Sequence, residues 1–162
     1  MHKSRRGRGD SGVALVEFAL VMPVLFLLVF GIIEFGWTFL QNLDVRHGAR
    51  EGARLIAVDY DPNTRGGTTQ APSDQQRNDI IAETCSRMDK ATSTTFVDLL
   101  LPDGSRTLGS KARIIITKPD GQLTGFLGFA LNNVTLKSQV DIRLEQDATW
   151  STTASALGTF HC

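Results

Sequence analysis

Hydrophobic positions along this chain fall into two regimes. From Val13 to Leu40 apolar residues dominate almost without interruption, and the 16 residues from Phe18 to Ile33 carry no charge. This is the pattern of a helix that is hydrophobic all round rather than along one stripe. The helical pattern continues through WTFLQNLDVRHGAREGARLIAV with neither Pro nor a turn cluster until Asp59-Tyr60-Asp61-Pro62. Beyond it the spacing changes. DYDPNTRGGTTQAPSDQQ, residues 59–76, reads as an exposed loop, and Ser73-Asp74 cap a helix running to about Met88, with Ile80, Ile81, Thr84 and Cys85 along one side. Three strands follow, over Thr95–Leu101, Ala112–Thr117 and Val134–Leu144; PDG turn signals close the first two, and the third alternates from Val140 to Leu144. Between the last two, LTGFLGFALNN reads as a loop or short helix. The expected fold is α+β: a long N-terminal helix packed on a small antiparallel sheet of three or four strands.

At ~1.5 Å per residue, Val13 to Leu40 extends roughly 42 Å, enough to cross a hydrocarbon core of about 30 Å. Glu17 then lies about 6 Å and Glu34 about 32 Å along that helix, so the two carboxylates bracket the lipid core. Neither has to occupy the midplane, where insertion scales put an ionised side chain at about 3 kcal/mol. Pro23 is expected to kink or loosen the helix, while Gly31 and Gly36 suit close packing in a membrane.

Formal charge is zero, with 17 basic and 17 acidic residues, but the signs are unevenly placed. Residues 1–12, MHKSRRGRGDSG, hold Lys3, Arg5, Arg6 and Arg8 against Asp10, leaving 13 basic and 16 acidic residues for the remainder. A basic leader before an apolar run predicts a cytoplasmic N-terminus and an extracytoplasmic remainder. The basic tract is short and abuts the apolar helix, so nucleic acid is not expected as a partner. The apolar run exceeds a secretory h-region and no A-x-A-like site closes it, so the helix is expected to be retained as an anchor. Three segments result: a leader at 1–12, a long helix at 13–58 spanning the membrane over about 13–40, and a globular domain at 59–162.

In HGAREGAR, Gly48 and Gly52 repeat at four residues, as do Ala49 and Ala53, and Arg50 and Arg54. One face is made of small residues that admit a close neighbour, either the chain's own domain or an adjoining subunit. The arginines beside it can pair with Glu51 or with a partner's carboxylates. In an exported domain Cys85 and Cys162 are expected to form a disulfide, with two unpaired thiols as the other possibility. His161 beside Cys162 supplies too few ligands for a zinc site, so no metal or other cofactor is expected. The histidines are scattered at 2, 47 and 161, and no nucleophile elbow, phosphate loop or H-E-x-x-H occurs. Gly66-Gly67 lacks the flanking strand and helix that phosphate binding needs. No catalytic residue is assigned, and an enzyme is not expected.

Gly12-Val13-Ala14-Leu15-Val16-Glu17 matches G-x-x-x-x-E between a basic leader and an apolar helix. It resembles the site read by prepilin peptidases in the type IV filament superfamily. Over about residues 9 to 57 the chain resembles TadE-like minor pilins (pseudopilins) of the tight-adherence, or Flp, pilus. The resemblance implies cleavage between Gly12 and Val13, with Glu17 as the fifth residue of the mature chain. It further implies an assembly role for Glu17, pairing with the new amine of its own or a neighbouring subunit. Opposite charges in a low-dielectric bundle are far better together than apart. The implied partners are a prepilin peptidase, other pilin subunits, the inner-membrane assembly platform and the lipid bilayer. The implied location is the bacterial inner membrane, then the pilus, with roles in pilus biogenesis, adhesion or colonisation. The globular domain of ~100 residues points to a minor, tip or priming subunit. The competing class is a membrane-anchored extracytoplasmic binding protein with no filament role.

Overall fold

One helix, α1 (Asp10–Ala57), runs for 48 residues and continues through Pro23. The computed structural model describes residues 10–63, 73–89, 91–119, 121–125, 128, 134–152 and 161–162. The basic residues of the leader, the Gly66-Gly67 loop, most of the Phe-rich stretch at 126–133 and the tail at 153–160 lie outside them. The helix starts at Asp10 rather than Val13, crossing the Gly12–Val13 junction. A lone Gly weakens a helix by only about 1 kcal/mol, which a helix of this length absorbs.

At its far end Asp59 takes a positive φ of 50° and the Tyr60 amide reaches back to Leu55 O at 3.0 Å, ending the helix. Helix α2 (Ser73–Ser86) stops two residues before the expected Met88. Its last turn tightens, with Arg87 N bonded to Thr84 O and Met88 N to Cys85 O.

Three strands, β1 (Phe96–Leu100), β2 (Lys111–Pro119) and β3 (Thr135–Arg143), form an antiparallel sheet in the order β1-β2-β3. β2 is longer than its apolar run because all nine of its residues pair with β3, from Lys111↔Arg143 to Pro119↔Thr135. In the first PDG turn Gly104 has φ 66° and its amide bonds to Leu101 O at 2.9 Å, a conformation that favours glycine.

Alternation along the strands delivers Val97, Leu99, Ala112, Ile114, Ile116 and Leu136 to one sheet face. Against that face lie Val45, Ala49, Ala53 and Ile56 of α1, with Ile80 and Ile81 of α2 completing the core. Burial of each large side chain here contributes roughly 1.5–3 kcal/mol. Trp150 closes the end of the core, fully buried, with its indole N–H donating to Ile56 O at 3.3 Å. A polar knot fixes the exit from α1. Thr149 N donates to Asp59 Oδ1 at 2.8 Å, and Gln76 Nε2 donates to the same oxygen at 3.1 Å. Arg87 joins the two helices, bonding Glu83 of α2 at 2.8 Å and Glu51 of α1 at 3.0 Å.

Only the distal part of α1 serves this core. From Val13 to Ile33 its side chains are exposed or half-exposed, and this helix is long and apolar enough to cross a membrane.

Candidate functional site

The residues expected to serve processing and assembly, Gly12, Val13 and Glu17, sit together at the bare end of α1. Gly12, Val13 and Glu17 are all exposed, Val13 at 68 %, and they line one shallow concavity with Val16 and Leu20. Helical geometry sets Glu17 one turn beyond Val13, on the same side of the helix. Among the described residues none forms an ion pair with Glu17. A Cβ placed on Gly12, Gly31 or Gly36 would meet nothing within 4 Å, so this half of the helix is bare on its glycine positions too.

The small-residue face lies elsewhere and is covered. Gly48, Ala49, Gly52 and Ala53 are all buried, Ala49 at 0 % and Ala53 at 1 %. A Cβ on Gly48 would come within 2.5 Å of Met88 Cγ and Sδ, and one on Gly52 within 2.9 Å of Thr84 Oγ1 and closer still to Ile114 Cδ1. The chain's own α2, Met88 and β2 therefore occupy this face at close range. The adjacent guanidinium row points outward: Arg46, Arg50 and Arg54 are exposed, and Arg54 stands 3.6 Å from Glu51.

Cys85 and Cys162 are joined by a disulfide, with their Cα atoms 5.5 Å apart. It fastens residues 161–162 beside β1, where His161 bridges to Phe96, their rings 4.7 Å apart, and Cys162 N donates to Thr95 O at 3.0 Å. Among the described residues no group of three or more His, Cys, Asp or Glu could hold a metal.

One constellation had no signal in the sequence beyond the position of a carboxylate. Glu34, at the outer end of the apolar run, is 0 % exposed because residues 121–125 fold across it. Leu123 N donates to Oε1 at 2.8 Å, while Thr124 N and its hydroxyl donate to Oε2 at 3.0 and 2.5 Å. One and two turns further along the same face, Trp37 Nε1 and Gln41 Nε2 donate to Gly121 O at 2.5 and 2.7 Å, and Gln41 Oε1 accepts from Gly121 N at 3.2 Å. The spacing 34, 37, 41 marks one helical face. What no spacing could reveal was the partner, about 90 positions away.

The family model described as TadE-like protein matches residues 12–54. That segment runs from the Gly12–Val13 junction, through the bare apolar helix and the Glu34 face, to the buried glycines. No curated protein matches the chain, and no solved structure does.

Proposed function

We propose that this chain, with its TadE-like segment at residues 12–54, is a minor pilin of a tight-adherence pilus. The family match points to a protein associated with that pilus; the subunit role is our reading. In it, a prepilin peptidase cuts between Gly12 and Val13 on the cytoplasmic side. The apolar part of α1 holds the subunit in the inner membrane, with the domain outside. Assembly then draws on other pilin subunits and the inner-membrane platform, leading to the cell surface and a role in pilus biogenesis or adhesion.

The observation that carries this is the exposed Gly12–Glu17 segment at the head of a bare apolar helix whose distal half is built into a folded domain. Such a helix presents its junction to a peptidase and its flanks to neighbouring helices. Cleavage frees a cationic amine about 6 Å along the axis from Glu17. The carboxylate has no described ion-pair partner and can take that amine, or a neighbour's, once water is excluded. The contribution is structural and not enzymatic: the helix supplies packing surface and Glu17 supplies register.

The test is co-expression with a prepilin peptidase, followed by N-terminal sequencing. The expected mature chain begins at Val13. A chain that keeps its leader and is absent from sheared surface fibres would instead be a membrane-anchored binding protein. Glu17→Ala is expected to leave cleavage and insertion intact while removing the subunit from the fibres; normal incorporation would refute its assembly role.

A further inference from the structure

Apolar surface on α1 continues past Glu34: Phe35, Phe39 and Leu40 are exposed at 72 %, 56 % and 55 %. At the same level the docked loop presents a second apolar group, Leu123, 51 % exposed although its own amide is tied to the Glu34 carboxylate. From Val13 to Glu34 is about 32 Å of helix, against a hydrocarbon thickness of about 30 Å. With hydrocarbon starting at Val13, its far boundary falls level with Glu34 and Leu123.

We infer that the 121–125 loop is a membrane-contacting element, clamped to Glu34, Trp37 and Gln41 so that Leu123 sits in the interface of the outward-facing leaflet. The inference rests on α1 crossing the membrane. A lipid bilayer, rather than a neighbouring subunit, is the occupant these observations favour, for three reasons. Leu123 is level with the membrane boundary of its own helix. Trp37, of the residue type enriched at membrane–water interfaces, bonds the loop through its indole N–H and is flanked by the exposed Phe35 and Phe39. Four backbone groups of the loop are also bonded to α1, in keeping with a depth at which polar groups near hydrocarbon need partners within the protein. Leu123 N and Thr124 N go to Glu34, and both the N–H and the C=O of Gly121 go to Gln41 or Trp37. The sequence runs on from Gly125 as FLGFAL, of the same apolar character. The domain would then be seated on the bilayer, with the loop as its foot.

The experiment uses the full chain with its disulfide intact, so that an introduced cysteine is the free thiol. Nitroxide labels at Leu123→Cys, Leu27→Cys and Lys111→Cys report mid-loop, mid-span and the far end of the sheet. The protein is placed in phosphatidylcholine–phosphatidylglycerol vesicles at low protein density, and collision with oxygen is compared with collision with a water-soluble nickel chelate. The expected result is loss of nickel collision and gain of oxygen collision at 123 relative to 111, at a depth shallower than 27. Adding Thr124→Val should restore nickel access at 123 while leaving 27 unchanged. A lipid-buried 27 with 123 as nickel-accessible as 111 would overturn the inference alone. A nickel-accessible 27 would overturn the membrane-spanning reading, and the inference with it. Protection at 123 that appears only when protein density is raised would assign the loop to a neighbouring chain and overturn the lipid contact.

Discussion

Thr124 holds Glu34 through two hydrogen bonds at once: its amide and its hydroxyl both donate to Oε2, across 90 positions of sequence. An ionised carboxylate has lone pairs for all three donors that meet it here. Thr124→Val removes the hydroxyl and keeps the shape. Because hydrogen bonds to charged groups are among the stronger ones, amide exchange at Leu123 and Thr124 should accelerate by roughly tenfold or more. Hydrogen exchange of detergent-solubilised protein measures this, and the core amides of β2 should not change.

Gly48 and Gly52 should respond differently to alanine. Each change gains about 1 kcal/mol of helix propensity. At Gly48 the added Cβ meets Met88, whose unbranched side chain can move aside, and approaches Ile116 Cδ1 only to 3.3 Å. At Gly52 it meets Ile114 and Thr84, both fully buried and both branched at Cβ. Overpacking of that kind typically costs about 1–3 kcal/mol. Gly48→Ala is therefore expected within about 1 kcal/mol of the parent, and Gly52→Ala to be clearly destabilised. Denaturant midpoints of the two variants decide it.

The Cys85–Cys162 bridge closes a separation of 77 residues. Chain entropy assigns such a loop about 4 kcal/mol. Cys162→Ser should lower the unfolding free energy by up to that amount and release the His161 bridge to Phe96. Equal denaturant midpoints for oxidised and reduced protein would contradict this.

Asp79 on α2 has its pKa raised, first by burial and then by the nearby Asp61 carboxylate. The folded state thus disfavours the charged form. The resulting penalty is fully present above the raised folded pKa and disappears as pH falls below the ordinary value of 3.8. Asp79→Asn is expected to stabilise the domain near neutral pH, with the gain shrinking steadily under acid. Paired thermal melts at neutral and acid pH test both parts.

The elements of this fold were legible because each rests on local pattern. The apolar run is all-round and so reads as α1. The run Ala112–Thr117 before a PDG turn reads as strand, and the expectation of an exported domain pairs the two cysteines. Strand ends moved by a residue or two because they depend on tertiary pairing, Lys111 and Pro119 joining β2 only through their β3 partners, while α1 starts three residues early, at Asp10. The small-residue face was legible as a close-approach surface, while whether it met its own domain or another chain was a question of long-range placement. The Glu34 clamp was the least accessible. Helical periodicity groups Glu34, Trp37 and Gln41, but Gly121, Leu123 and Thr124 belong to a segment whose own pattern is neither helix nor strand. Their meeting depends on where the β2–β3 connection returns, and that is set by sheet topology.

The continuity of α1 from the junction to the core has a mechanical consequence. The helix that carries the exposed junction at Gly12 also contributes Val45, Ala49, Ala53 and Ile56 to the core, with no break between them. Tension applied at the apolar end therefore arrives at the sheet undiminished by slack, loading the α1–sheet contact in shear. Side chains interlocked along several helical turns must slip together under such a load. If this helix is pulled from a membrane into a fibre, the domain follows as a rigid load on a rod.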